Sequence, residues 1–497
     1  MQAKRNETEL KLIVPADFEL PALKDAASGV AAANEEPQQQ LSATYYDTQD
    51  LRLMRHGITL RYRTGEDNGP LWTLKLPANG DLATRSELEF AGEPNQPPAE
   101  ARDLLFAFLT DGPLSSAAEI RTKRRRWSLA GEDGSRLAEL VDDRVSILDG
   151  ARVKARFREI EIEADTIDRK QLEKIAARLR KAGGRPEQRS KASRALEALH
   201  KLSPEEPTIV SPKAPAGDAV RPALIGALQR ILTFDPYARL GEVEGVHQLR
   251  IAARRLRSVV RTFAPIMDEA KIEPVVEDLR WLGQVLGAVR DLDVLERNLR
   301  EEAGDAATPV IEALRERREK ARTALHAALN SDRYVSFLQR VKVLTQDDAL
   351  VPHSPGQVRE VLPELVWRIW KKLRKAGRAL TPESAEADFH RGRILAKRAR
   401  YSAETIAPYM PSKQKNRLED FAKGAESVQD VLGEHQDAAY ARNLLLELAA
   451  GRPDDGALAA SVRTLVQKQN EIESDKRKEF FDVWEKVDRK KNTKWGK

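Results

Sequence analysis

In the run ETELKLIVP near the start of the chain, Glu7, Glu9 and Lys11 occupy alternate positions. A β-strand sends successive side chains to opposite faces, so these three charges share one face while Thr8, Leu10 and Leu12 share the other. An ordinary half-buried strand buries its apolar face and wets its polar one. If the charged face instead lines the inside of a barrel, two carboxylates and an ammonium converge in a confined space that suits a divalent cation together with a polyanion. A solvated edge strand is the competing reading, and one strand does not decide between them.

The same inversion recurs along the first 200 residues. Arg61 and Arg63 share a face in LRYR, and Lys75 sits in LWTLKL. Arg85, Glu87 and Glu89 are in phase in TRSELEF, as are Lys123 and Arg125 in RTKRRRW; there the consecutive cations also allow the other phase, with Arg124 and Arg126 inward. Glu139 and Asp143 are in phase in LAELVDD, Glu159, Glu161 and Glu163 in FREIEIEA, and Lys191 follows in RSKASR. Turn-like stretches (TGEDNGP, PANGD, AGEDGS, ILDGA) separate the runs at the spacing of antiparallel strands. The opposite faces carry Leu10, Leu60, Leu74, Leu88, Ile160 and Ile162. A barrel with charges in its lumen and helices over its apolar outside satisfies both faces. Unpaired charges in a narrow lumen are costly, so counter-ions are required. Hard divalent cations take oxygen ligands, which glutamates supply in a chain without cysteine. No Ser–His–Asp or Cys–His arrangement is recognisable as a covalent nucleophile.

A chain of 497 residues is too long for one typical core. Its 41% hydrophobic and 33% charged content describes a soluble globular protein, and no apolar run approaches the ~20 residues that span a bilayer. The polar N-terminus is not a signal peptide, and the lack of cysteine fits a reducing cytoplasm. The net charge of +6 conceals segregation, because 84 basic residues nearly cancel 78 acidic ones. Basic runs at 121–127, 250–257, 368–378 and 391–400 point to phosphate-rich partners. An aromatic content of 5% offers little base stacking and argues against nucleic acid. Residues 201–220 carry four prolines and little periodicity, as a linker does. Beyond them the apolar spacing is helical almost without interruption.

That helical half contains a repeat. His247-x-x-Arg250-x-x-x-Arg254-Arg255-x-Arg257 returns 143 residues later as His390-x-x-Arg393-x-x-x-Lys397-Arg398-x-Arg400. Asp291, in VLGAVRDLD, returns 146 residues later as Asp437, in VLGEHQDAA. Two related helical bundles about a pseudo-twofold axis explain such offsets. In each copy the histidine and three cations fall on one helix face. Like charges at these spacings repel, so either an acidic neighbour such as Asp291 or Asp437 or a bound anion must compensate them.

The ordered series ETELK, YYDT (45–48), LRYR, TLK, RSELE, ELVDD, EIEIE and SKASR resembles the CYTH family, the triphosphate tunnel metalloenzymes. The resemblance implies an antiparallel eight-stranded tunnel with flanking helices, acting on triphosphates with Mg²⁺ or Mn²⁺. Carried over position by position, Glu7, Glu9, Glu161 and Glu163 resemble the metal ligands, and Glu7, Glu9, Lys11 and Glu161 the catalytic centre. Lys11, Arg61, Arg63, Lys75, Lys123, Arg125 and Lys191 resemble the triphosphate clamps. The helical half resembles the CHAD domain through its paired H-x-x-R-x-x-x-[RK]-R and L-G-x-x-x-D motifs, although Gln436 stands in the second copy where the first has Arg290. That resemblance implies inorganic polyphosphate along His247, Arg250, Arg254, Arg257, His390, Arg393, Lys397 and Arg400. The expectation is an α+β multidomain chain: a tunnel domain over 1–200, a linker over 201–220, and an all-α domain of two pseudo-symmetric bundles over 221–497. The expected activity is that of an inorganic triphosphatase, cytoplasmic and associated with polyphosphate granules. Adenylate cyclase or thiamine-triphosphatase activity, or a non-catalytic granule protein, are the alternatives. Oligomeric state is not legible.

Overall fold

The computed structural model describes residues 2–5, 9–27, 29–66, 69–77, 86–110, 112–200, 209–346, 350–351 and 356–489. The chain divides into two compact units, Met1–Glu206 and Pro207–Lys497.

The first unit is an antiparallel sheet with helices. Its strands are β1 (Gln2–Arg5), β2 (Glu9–Val14), β3 (Ala32–Glu35), β4 (Gln39–Asp47), β5 (Thr59–Thr64), β6 (Leu71–Leu76), β7 (Ser86–Phe90), β8 (Ser115–Ala130), β9 (Arg136–Asp149), β10 (Arg152–Ala164) and β11 (Arg185–Pro186). Its helices are α1 (Arg52–Arg55), α2 (Ala99–Leu104), α3 (Arg169–Lys181) and α4 (Lys191–His200). The hydrogen-bonded order is β1-β7-β6-β5-β4-β8-β9-β10-β2-β11, with β3 beside β8. This is an open path through more strands than the eight expected. The expected first strand is described from Glu9 as β2, β1 precedes it, and β3 and β11 are short additions.

The sheet's two faces differ in kind. On one face, Leu12, Val14, Trp127, Leu129, Ala138, Leu140, Ile160 and Ile162 are buried beneath Leu172, Ile175, Ala176 and Leu179 of α3. Each such aliphatic side chain contributes ~1.5–3 kcal/mol on burial. Helix α3 starts at a capping box: Asp168 accepts from the Gln171 amide while the Gln171 side chain accepts from the Asp168 amide. It ends where Gly183 takes a φ of +113°, as the terminal glycines of its sequence predict. The other face carries Lys11, Arg61, Arg63, Lys75, Glu87, Arg124, Asp143, Glu159 and Glu161. Helix α4 packs on that same face at one end of the sheet, with Ala192, Ala195 and Leu196 against Ala43, Tyr45, Ile120, Val145 and Ile147. The YYDT segment is structural at its aspartate: buried Asp47 accepts from the amides of Thr48, Leu53 and Met54, which folds the turn into α1.

The second unit is helical: α5 (Val220–Arg239), α6 (Val243–Phe263), α7 (Glu269–Ala303), α8 (Thr308–Leu329), α9 (Asp332–Gln346), α10 (Val358–Ala379), α11 (Glu386–Ile406), α12 (Ser412–Ala450) and α13 (Gly456–Val487). Helix α6 recurs as α11 at an offset of 143 at both ends. The buried positions recur with it: Leu249, Ala252, Ala253, Leu256, Val259 and Val260 fall on Gly392, Leu395, Ala396, Ala399, Ser402 and Ala403. The two successions share a core, in which Leu295 and Leu299 of α7 and Leu314 of α8 meet Leu445 and Leu448 of α12 and Leu465 of α13.

Residues 212–219, within the expected linker, are ordered. Residues 201–208 lie outside the described residues, and the chain from Pro212 belongs to the helical unit. Pro215 bridges Gln357, the amides of Val358 and Arg359 donate to Ala214 and Pro212, and Ala216 and Ala219 are buried. Proline fixes φ near −65°, so these residues enter the ordered segment with little backbone entropy left to lose.

Candidate active site and anion-binding surface

Strand register builds the acidic centre of the first unit. Asp143 on β9 faces Glu159 on β10, and Glu161 lies two residues along the same face. One carboxylate oxygen from each of Asp143, Glu159 and Glu161 lies within 4.8 Å of the others, so the three can hold a metal ion. Lys191, at the first position of α4, reaches into them: its Nζ is 2.9 Å from Asp143, 2.5 Å from Glu159 and 2.9 Å from Glu161. Lys11 lies 2.7 Å from Glu161, and Arg124 donates to both Asp143 oxygens at 2.9 and 2.7 Å.

The electrostatics follow from this packing. Burial alone raises a carboxyl pKa, but Lys191, Lys11 and Arg124 hold Glu161 well below the usual range. Glu159 is raised, because burial outweighs its share of Lys191 and Lys11. Its Oε2 is buried with no hydrogen-bond partner, and its Oε1 meets Lys191 outside hydrogen-bond geometry. Three hard oxygen donors, one of them unsatisfied, match the preference of a hard divalent cation.

A cationic region adjoins this centre on the same face. Lys75 pairs with Glu87 at 2.6 Å, Arg61 approaches Glu87 at 3.6 Å, and Arg63 pairs with Glu66. Burial and the neighbouring charges of Arg61 and Arg124 push Arg63 down to about 10. The Nε atoms of Arg61 and Arg63 are buried without a hydrogen-bond partner. Guanidiniums crowd in this way at a cost that an anion removes.

Several expected site residues are placed differently. Glu7 and Arg85 lie outside the described residues. Glu9 is exposed and faces Glu163 in register, one pair further along than Lys11 and Glu161, so among the described residues only Glu161 of the expected carboxylates joins the group of three. Lys123 and Arg125 are corrected to the opposite face. Lys123 is exposed, and Arg125 pairs with Glu35 at 2.8 Å and lies over the Trp127 ring. The reason is Trp127, which is buried under α3 and fixes odd-numbered β8 residues outward. Arg124 takes the inward place. Asp143 and Glu159 are centre residues that sequence reasoning did not nominate as ligands, although each was in phase on a charged strand.

In the helical unit the two stripes are placed by the repeat. Arg250 pairs with Asp291 at 2.6 Å, and Arg393 with Asp437 at 3.3 Å. Each arginine lies over the glycine of the L-G-x-x-x-D motif. A Cβ on Gly287 would lie 3.7 Å from Arg250, and one on Gly433 3.4 Å from Arg393. Arg254 and Lys397 sit among these groups. Burial and the charges of Arg254, Arg393 and Arg250 push Lys397 down to about 6. The histidines differ as their neighbours do: His390 Nδ1 lies 2.7 Å from Gln436, whereas burial and Arg290 lower His247. Arg400 is neutralised by Glu404 and Glu426, which removes it from the expected cationic stripe. On α10, Arg368 and Lys371 share Glu364, and Arg374 and Arg378 share Asp488, so this is a solvated, paired face.

Comparison with known proteins agrees with this division. Residues 5–195 match the CYTH domain family, and residues 222–446 match the CHAD domain family. Uncharacterised proteins from two strains of Mycobacterium tuberculosis are 29% identical over 98% of this chain and 97% of their own. Among solved structures, a CHAD domain from the plant Ricinus communis is 24% identical with a TM-score of 0.48, covering 56% of this chain and 95% of its own. A candidate adenylyl cyclase from Hippeastrum, described as having a dominant triphosphatase activity, is 18% identical with a TM-score of 0.26, covering 40% of this chain and 98% of its own. Among the described residues no helix is long and apolar enough to cross a membrane. The chain thus carries a CYTH domain over residues 5–195 and a CHAD domain over residues 222–446.

Proposed function

We propose that the first unit is a divalent-cation-dependent inorganic triphosphatase and that the helical unit binds inorganic polyphosphate, in the cytoplasm and at polyphosphate granules. The carrying observation is the pairing, on one sheet face, of a three-carboxylate group with clustered cations, among which Arg63 is pushed down to about 10 by burial, Arg61 and Arg124. A pure anion binder needs only the cations. A tunnel is part of this proposal. Arg5 and Glu9 are at most ~14 Å apart along the chain, whereas the ladder from β1 to β2 spans ~38 Å if flat, so the sheet must curl strongly. Counted with β1 and β2 as one strand and without β3 and β11, the path has the eight strands of a closed tunnel.

Phosphoryl transfer needs positioning and charge neutralisation more than covalent chemistry. Arg61, Arg63, Lys75 and Arg124 bind and align the phosphate groups, and Lys11 and Lys191 neutralise charge at the carboxylate end. Asp143, Glu159 and Glu161 would hold Mg²⁺ or Mn²⁺, which supplies Lewis-acid neutralisation at phosphate oxygens. Glu9 and Glu163 lie next along that face. In the helical unit, Arg250, Arg254, Arg393 and Lys397 form the centre of the polyphosphate surface, flanked by His247 and His390 and related by a pseudo-twofold.

The test is turnover of inorganic triphosphate, ATP, thiamine triphosphate and long-chain polyphosphate with Mg²⁺ or Mn²⁺, beside Glu161→Gln. Expected are metal-dependent phosphate release fastest from inorganic triphosphate and a loss of at least a hundredfold in the variant. Formation of cyclic AMP as the main reaction, or no metal-dependent release from any substrate, overturns this reading.

A further inference from the structure

The two copies of the helical repeat differ sharply at one set of four positions. With the offset of 143 for α6 and α11 and 146 for the motif region of α7 and α12, Arg257 corresponds to Arg400, Arg261 to Glu404, Arg280 to Glu426 and Arg398 to Arg255. Burial follows the same offsets on α7 and α12, where Leu279, Leu282 and Leu286 fall on Ala425, Val428 and Leu432. In the second copy the four side chains close on one another. Arg400 meets Glu404 at 2.8 Å and Glu426 at 2.7 Å, and Arg255 reaches Glu404 at 3.4 Å. Two cations meet two carboxylates, and little charge is left over.

In the first copy both acidic positions are arginine. Arg257, Arg280 and Arg398 all lie close enough for their charges to act on Arg261. Burial, then Arg257, Arg398 and Arg280, bring Arg261 down to about 10, and burial, then Arg280 and Arg398, lower Arg257. None of the four has a carboxylate partner among the described residues, and the Arg257 Nε is buried with no hydrogen-bond partner. The same backbone therefore holds a neutral quartet on one side and four unanswered guanidiniums on the other. The two sites differ by side-chain choice at positions 261 and 280.

We propose that Arg257, Arg261, Arg280 and Arg398 form a second anion subsite, present in one copy of the repeat only, which takes phosphate groups of a condensed-phosphate chain continuing from Arg250, Arg254, Arg393 and Lys397. The proposal rests on the reading of that central cluster as a polyphosphate site. Arg257 lies three residues beyond Arg254 on α6, ~4.5 Å along the axis, and Arg398 follows Lys397 directly on α11. Guanidinium forks bind phosphate oxygens in pairs, and four of them suit successive phosphates better than one compact anion. On the other side Glu404 and Glu426 occupy Arg400 and Arg255 and leave little net charge to hold such a chain. The surface therefore has a direction, and a long anion leaves the central cluster toward the α6–α7 side.

The full chain carrying Arg261→Glu and Arg280→Glu tests this, because the variant copies the carboxylates that the other copy of the repeat already accommodates. Affinity for polyphosphate of about fifty phosphates is measured by calorimetry over a range of salt without divalent cations, with the melting transition of the helical unit as the check on folding. Expected is at least tenfold weaker binding with a shallower salt dependence, since fewer counterions are released. The charge-matched control Arg315→Glu with Arg463→Glu, exposed on α8 and α13, is expected to stay within twofold of wild type. Equal weakening by that control, or wild-type affinity in Arg261→Glu/Arg280→Glu while Arg250→Ala/Arg393→Ala weakens binding, overturns the second subsite and leaves the central reading standing. No binding by the wild-type chain overturns both.

Discussion

Lys191 and Lys397 are buried ammonium groups with opposite fates. Burial lowers the pKa of each, but Glu161, Asp143 and Glu159 reverse the effect at Lys191 and hold it above its usual range. Around Lys397 the charged neighbours are chiefly Arg254, Arg393 and Arg250, so burial and repulsion add and bring it down to about 6. Between that value and the ordinary 10.5, the unfolded chain binds a proton at Lys397 that the folded chain does not. Lys397 therefore costs stability, increasingly as pH falls from about 10 toward 6 and at a plateau below it. Lys397→Met removes the cost. Its melting temperature is expected to exceed wild type by about 2–4 °C or more near pH 6.5 and by nearly nothing near pH 10, read by scanning calorimetry on the helical transition. A gain that does not change with pH refutes a neutral lysine. The same displaced proton returns with the ligand: polyphosphate binding at pH 7.5 is expected to take up about one proton, measured from the dependence of binding heat on buffer ionisation.

Strand β8 shows which parts of the design can be read in advance. Its 16 residues bury Ala118 and Ile120 under α4 on the charged face, and Trp127 and Leu129 under α3 on the other. The apolar pattern thus changes face along one continuous strand, and Lys123, Arg124, Arg125 and Arg126 fill the change with like residues. Alternation carries no phase where every position is a cation. Trp127 was the available signal, because a tryptophan needs a deep apolar site and the outer helix supplies one. By contrast, the phases of β2, β5, β6 and β10 were legible, since each alternates charge with leucine or isoleucine. The carboxylate group was half legible. Asp143 stands beside Asp142 in VDD, and only register shows that Asp142 turns outward to a buried pair with Arg158 while Asp143 turns inward. These placements give opposite expectations for neighbouring arginine and lysine. Arg124→Ala is expected to lower kcat/KM for triphosphate by about 10–100-fold, or ~1.4–2.7 kcal/mol, and Lys123→Ala to leave it within twofold. Equal losses would return Lys123 to the charged face.

At the scale of the whole chain, the division at Glu206 and Pro207 separates two bodies that each own a core. The sheet unit closes its apolar face with α3, whereas the helical unit keeps residues 212–219 for itself through the Pro215–Gln357 bridge and the Ala214 and Pro212 carbonyls. The composition-based linker of 201–220 therefore takes in an ordered strap, because proline marks a strap as readily as a linker. Where a cut falls then matters more than that it is made. A protease site placed after Pro204 leaves every described hydrogen bond of both units intact, and both fragments are expected to remain folded. Triphosphate turnover by the first fragment should stay within twofold of the full chain, and polyphosphate affinity of the second should be unchanged. A cut after Ala219 removes the strap from the helical fragment instead. It exposes Ala216, Ala219 and the Val358 and Arg359 amides, and the helical transition is expected to fall by about 2–4 °C for each kcal/mol lost while the first fragment keeps its activity. Loss of triphosphate turnover after the first cut would show that the CYTH unit depends on its partner despite having a core of its own.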